Sequence, residues 1–169
     1  MLAVVSDTHS VRGHELEGRT LQAVREAEMV IHAGDFMRAG VIDSFEDESR
    51  TLRGVYGNND DEEIRERLPE ARTVEYEGFR FAVTHRVRGG PTELTLFGRE
   101  RDADAVIYGH SHNPEVDTGG ELPLINPGSH AQPRGYRKAH AELEPTEEGL
   151  VGRLVTPNNY LIEEFRLTQ

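Results

Sequence analysis

At 169 residues the chain is long enough to bury one core, and the absence of cysteine excludes disulfide scaffolds and thiolate metal sites. Acidic residues outnumber basic ones 31 to 19, a formal net charge of -12, which speaks against a broad nucleic-acid surface because such surfaces are basic. No apolar run approaches the roughly 20 residues of a membrane span, and Met1-Leu2 leads into a strand pattern without a basic leader, so a cytoplasmic protein with a single domain over residues 1–169 is expected.

The apolar run Leu2-Ala3-Val4-Val5 predicts a strand over 2–6, and Asp7-Thr8-His9 follows it. A helix is expected over 16–28, where Leu21, Val24 and Glu28 keep helical spacing with Ala23 and Ala27 beside them. A second strand over 29–33 runs into Gly34-Asp35, and a second helix covers 41–49. A third strand over 52–56 ends at Gly57-Asn58-Asn59-Asp60, followed by a short helix over 62–68 for which Asp60 reads as the cap. Alternating strands and helices imply a largely parallel sheet with right-handed crossovers.

Residues 73–76 and 79–84 read as a hairpin turning at Glu77-Gly78, with Thr84-His85 at its end. A helix over 91–100 and a strand over 105–108 lead to Gly109-His110-Ser111-His112. Short strands follow at 114–117, 122–125, 140–143, 150–156 and 161–166, separated by Gly119-Gly120, Pro127-Gly128, Glu148-Gly149 and Pro157-Asn158-Asn159. They predict an antiparallel sheet. The fold class expected is α/β: a four-layer sandwich, two mixed β-sheets packed face to face with helices on the outer sides. The exposed β segments leave a homo-oligomer open.

Five polar pieces therefore fall in loops after apolar runs: Asp7-x-His9, Gly34-Asp35, Gly57-Asn58-Asn59-Asp60, Thr84-His85 and His110-x-His112. Open α/β sheets bind ligands at the carboxyl ends of their strands. Asp7, His9, Asp35, Asn58, His85, His110 and His112 offer seven oxygen and nitrogen donors, enough for two divalent ions sharing one carboxylate. Imidazole and carboxylate without thiolate suit Mn, Fe, Co, Ni or Zn. The glycines before three of these pieces, Gly34, Gly57 and Gly109, would let the backbone turn and approach the ions.

In this order the pieces resemble the calcineurin-like metallophosphoesterase family, most closely its small prokaryotic phosphodiesterase branch. The likeness extends to the turn Asn126-Pro127-Gly128-Ser129. It implies that Asp7, His9 and His112 hold one ion, that Asn58, His85 and His110 hold a second, and that Asp35 bridges them. It also implies a hydroxide between the two ions attacking phosphorus in line. Asp35, Asn58, Asn59 and His85 are then the candidate catalytic residues. The cofactor expected is a pair of divalent ions, Mn first, with Ni, Co, Fe, Zn or Mg as alternatives, and the substrate a small phosphoester, a diester first.

Two departures matter. Many family members carry histidine where this chain has Asn59, and an amide cannot act as a general acid, a group worth about 10²–10⁴-fold in rate. Arg86 stands where the family often has glycine; with Arg88 and Arg134 it is a candidate phosphate contact, against the alternative of a solvated loop. His130 lies close in sequence to the Asn126 turn, His32 reads as a packed strand residue, and His14 and His140 carry no functional reading.

The alternative function is a weakly catalytic or non-catalytic protein-interaction scaffold, as in a eukaryotic retromer subunit of this fold; a nuclease is a third reading. Lys138 is the only lysine in this acidic chain, a composition that resembles proteins of salt-loving organisms, in which salt screens self-repulsion.

Overall fold

In the computed structural model, which describes residues 1–168, the apolar runs Leu2–Val5 (β1) and Met29–His32 (β2) pair in parallel, with Leu2 opposite Met29 and Val5 opposite His32. Strand β3 (Leu52–Gly54) extends the pair. The crossovers between them are α1 (Gly18–Glu26) and α2 (Ala39–Glu48), and α3 (Glu62–Arg67) follows β3. Helix α1 starts later than the apolar spacing predicts because Gly18, at φ 52°, lies against Pro157, whose carbonyl accepts from the Arg19 amide at 2.7 Å.

Strands β4 (Ala71–Tyr76) and β5 (Phe79–Thr84) form the expected hairpin. Helix α4 (Pro91–Arg99), with proline in its first turn, leads to β6 (Ala105–Ile107), parallel to β5. Here the structure departs from the sequence reading, because the short strands of the second half do not form one antiparallel sheet. Strand β8 (Leu124–Pro127) pairs in parallel with β6 and antiparallel with β7 (Pro114–Asp117), whereas β9 (His140–Thr146), β10 (Gly149–Val155) and β11 (Leu161–Leu167) form a meander whose β9 joins β1. The sheets are thus β11-β10-β9-β1-β2-β3 and β4-β5-β6-β8-β7. Turn residues fix local hairpins but not the edge a hairpin joins.

The layers follow from side-chain alternation along the strands. Leu2 and Val4 of β1 face the second sheet and pack with Ile31, Phe81, Val83, Ile107, Ile125 and Leu143. Ala3 and Val5 face the opposite way and pack with Val24, Phe36, Ile42 and Phe45 on the helical side. Leu94 of α4 covers Ala82, Val106 and Leu124 on the far face of the second sheet. This is the expected four-layer sandwich, and each fully buried large apolar side chain contributes about 1.5–3 kcal/mol.

A buried polar network ties α1 to β9. Arg19 grips Glu142 with two hydrogen bonds, 2.7 Å from Nε and 2.6 Å from Nη2, and His140 bridges Glu142 (2.8 Å) to the Thr20 hydroxyl (2.9 Å). Burial works against the Glu142 charge, but hydrogen bonds from His140 and Arg19 outweigh it and bring its pKa down to about 2.

Candidate metal centre

The loops after β1, β2, β3, β5 and β6 meet at one end of the two sheets, held by backbone bonds such as Asp7 N to Gly34 O (2.9 Å) and Gly109 N to His85 O (3.0 Å). Five of the candidate ligands adopt left-handed backbone: Asp7 (φ 54°), His9 (46°), Asp35 (62°), His110 (75°) and His112 (61°). Such conformations cost non-glycine residues about 1–3 kcal/mol each and concentrate at functional sites. Left-handed turns, which residue type alone does not reveal, therefore aim His110 and His112.

Two glycines are required by close approach. A Cβ on Gly57 would lie 2.1 Å from Asp35 Oδ1, and one on Gly109 would lie 2.1 Å from Ser6 Oγ and 2.7 Å from Asp7 Oδ2.

Asp7, fully buried, commits Oδ2 to the Ser6 hydroxyl (2.7 Å) and the His110 amide (3.0 Å). Its Oδ1 has no hydrogen-bond partner, and neither have the Nε2 atoms of His9 and His112, 3.7 and 3.3 Å from it. Buried polar atoms without partners are rare and call for explanation. Asp7, His9 and His112 form one set with metal-ligand spacing, and Asp7, Asp35 and His85 a second. Asp7 belongs to both sets, and Asp35 Oδ2 lies 3.0 Å from His9 Nε2 of the first and 3.3 Å from His85 Nε2 of the second. His110 stands beside the second set with its ring centroid 5.3 Å from that of His85, and the exposed Asn58 places Oδ1 3.1 Å from His85 Nε2.

The ring tautomers are set from behind. His85 Nδ1 donates to the Ala33 carbonyl (2.7 Å) and His112 Nδ1 to the Gln132 carbonyl. A carbonyl only accepts, so the neutral rings keep lone pairs on Nε2, facing the carboxylates, the arrangement usual for metal-bound histidine.

The carboxylates draw positive charge to this point. Burial lowers the His9 pKa, but Asp35 and Asp7 outweigh it and bring it up to about 9; His85 is raised too, its burial overcome chiefly by Asp35 and Asp7. For Asp35, burial opposes the charge, yet His85, His9 and Asn59 hold it well below the usual carboxylate range. His110 and His112 are lowered, chiefly by burial. Buried carboxylates and imidazoles with oriented lone pairs fit divalent ions, which bind in exchange for ring protons.

Several supporting residues escaped sequence reading. Asp60 does not cap α3; Asp61 does, accepting from Ile64 N at 3.0 Å. Asp60 instead accepts from the amides of Asp35 (3.0 Å), Met37 (2.7 Å) and Gly57 (2.7 Å), clamping two ligand loops together. His32, buried and stacked on Phe36, accepts from Gly34 N (3.1 Å) and donates Nε2–H to Thr8 Oγ1 (2.8 Å), joining the first loop to the second. In the Asn126 turn, Asn126 holds Gly109 O and Ser111 Oγ, while Ser129 donates to Asp7 O at 2.7 Å. Of these, only the Asn126 turn had a sequence signal, as part of the family pattern.

Asn59 is turned inward. Its amide N donates to Asp35 Oδ1 (2.9 Å) and its side-chain Nδ2 to Asp35 Oδ2 (2.8 Å). Arg86, Arg88 and Arg134 are exposed in the loops carrying His85 and Gln132.

The calcineurin-like phosphoesterase superfamily domain matches residues 1–148. A probable metallophosphoesterase of Methanocaldococcus jannaschii is 31% identical over 160 residues, 92% of this chain and 80% of that protein. A phosphodiesterase of the same organism is 29% identical over 138 residues, 75% of this chain and 82% of its own. Among solved structures, vacuolar protein sorting 29 of Cryptosporidium parvum superposes with a TM-score of 0.82 at 17% identity, covering 99% of this chain and 97% of that one, a likeness of fold alone.

Proposed function

The chain belongs to the calcineurin-like phosphoesterase superfamily, and from that premise we propose that it hydrolyses phosphodiesters with two divalent ions held by Asp7, His9, Asp35, Asn58, His85, His110 and His112. The observation that carries this reading is the pair Asp7 Oδ1 and His112 Nε2, buried without hydrogen-bond partners, with His9 Nε2 facing both the Asp7 and Asp35 carboxylates. When bound, such ions activate water and neutralise charge on the phosphoryl oxygens. Manganese is our first candidate, with Ni, Co, Fe, Zn or Mg able to use the same donors.

The protein's own contribution is placement. Asp7 is locked through Oδ2 so that Oδ1 points inward, and the carbonyls of Ala33 and Gln132 hold the His85 and His112 rings. Asp35, steadied by Asn59, stands 3.0 Å from His9 Nε2 and 3.3 Å from His85 Nε2, which supports a bridging role. No side chain at Asn59 can hand a proton to the departing oxygen, so diesters with acidic leaving groups are the favoured substrates.

The interaction-scaffold alternative expects missing ligands, whereas every expected position carries a donor and all lie at one end of the sheets. Among the described residues no helix is long and apolar enough to cross a membrane, and the phosphoester is proposed to come from solution.

The test is turnover of bis(p-nitrophenyl) phosphate in molar salt, chosen for the acidic, lysine-poor composition, after chelation and readdition of Mn, Ni, Co, Zn or Mg. Chelation is expected to lower the rate by about 10²-fold or more, the scale of a lost catalytic group, and readdition to restore it. Hydrolysis indifferent to chelation, or inertness with every ion, contradicts the proposal.

A further inference from the structure

Beside the proposed metal centre is a cavity of about 140 Å3 whose walls include Tyr56, Asn58, Arg65, Glu70, His85 and Arg86. Its two guanidinium groups are not equivalent. Arg65 is committed to the loop: Nε donates to Asp60 O (3.1 Å), Nη2 to Gly57 O and Asn58 O (3.2 Å each), and its Cζ lies 4.8 Å from the Tyr56 ring centroid. Arg86 has no side-chain hydrogen bond or ion pair among the described residues, although Glu70 lines the same cavity.

Among the described residues Arg88 and Arg134 likewise have no side-chain hydrogen bond or ion pair, but they are not in the wall of this cavity; Arg86 is, beside Asn58 and His85. Asn59 is bonded inward to Asp35, and its amide has no acidic proton to give a leaving group.

We infer that Arg86 is the substrate-facing cation of this site, contacting the departing oxygen in the cavity it lines with Asn58 and His85. The inference rests on the phosphodiesterase reading above. As an oxygen from water bonds to phosphorus and its proton passes to solvent, the bond from phosphorus to the leaving oxygen breaks and the electron pair stays on that oxygen. The guanidinium hydrogen-bonds to the growing charge but keeps its proton. A p-nitrophenolate leaves as the anion; a more basic leaving oxygen takes its proton from solvent water. Fixed donors of this kind act most where most charge develops.

The experiment compares wild type, Arg86→Gln, Arg86→Lys and the distant control Arg166→Gln on p-nitrophenyl methyl phosphate and phenyl methyl phosphate. A parallel calorimetric titration measures binding of inorganic phosphate to the metal-loaded proteins. Removing one such donor costs up to about 10²–10³-fold; for Arg86→Gln we expect about 10-fold on kcat for the nitrophenyl ester, about 10²-fold for the phenyl ester, and about 10-fold weaker phosphate binding. Arg86→Lys, keeping charge but losing the planar fork, should recover part of each loss, and Arg166→Gln should match wild type. Equal losses on the two esters, or unchanged phosphate affinity, overturn the assignment. If wild type turns over neither ester, the phosphodiesterase reading fails, while the phosphate titration still decides Arg86: weaker binding supports it and unchanged binding overturns it.

Discussion

Replacing Asp35 by asparagine is expected to lower diester turnover by about 10³-fold, equivalent to about 4 kcal/mol of transition-state stabilisation. The change is nearly isosteric, so packing should survive at this 1% exposed position. Charge and acceptor capacity do not. Asp35 accepts from Asn59 through both oxygens and faces the Nε2 atoms of His9 and His85 at 3.0 and 3.3 Å. An asparagine NH2 would oppose the Asn59 amide and could not bridge two cations. Kinetics and metal content should therefore fall together in Asp35→Asn, with fewer bound ions per chain than in wild type. A variant retaining its ions and its full rate would sink the bridging role.

The second large effect is on stability in acid. His130 is 1% exposed; its Nε2–H donates to His14 O at 2.9 Å, and Nδ1 has no partner. Burial, which the His14 contact opposes only in part, lowers its pKa from 6.5 to about 4. The unfolded chain therefore takes up a proton at this residue between pH 6.5 and 4 while the folded chain does not. Stability is complete above the unfolded value and falls with pH across that window, by about 3 kcal/mol for this group. The fully buried His32, also lowered chiefly by burial, adds in the same direction. Glu142 acts lower, its contribution being lost only below the unfolded value of 4.5 and through about 2.

Denaturant unfolding in chelator at pH 7, 5.5 and 4.5 separates these contributions. Wild type should lose stability steeply across the series, and His130→Gln, whose amide can still donate to the His14 carbonyl, should lose less, the gap reaching about 2 kcal/mol at pH 4.5. Parallel pH dependences for the two proteins would contradict the burial argument.

Much of this architecture was legible because burial leaves a period. Strands covered on both faces, such as β1 and β6, read as unbroken apolar runs, and the polar pieces after them mark one edge of the molecule. Partner choice was not legible. Strand β9 lies beside β1, pairing Val4 with Ala141, and nothing local to residues 140–146 records that neighbour.

The site divides in the same way. All seven proposed ligands could be named from residue type and order, because donor chemistry is carried by the side chain. Their aim comes from left-handed backbone at Asp7, His9, Asp35, His110 and His112, and from carbonyls at Ala33 and Gln132, features that belong to the folded chain. Asp60 and Asp61 show how narrow the margin is. Two adjacent aspartates before one helix are equivalent caps by composition, but only folding shows that Asp61 caps α3 while Asp60 clamps the loops of Asp35 and Gly57.

Anomalous diffraction from crystals grown with manganese tests whether a two-ion cage is shared through Asp35. Two peaks per chain are predicted, about 3.5–4 Å apart, one beside Asp7, His9 and His112, the other beside Asn58, His85 and His110, with the Asp35 carboxylate between them. A single peak, or peaks away from these residues, would rule out the shared cage.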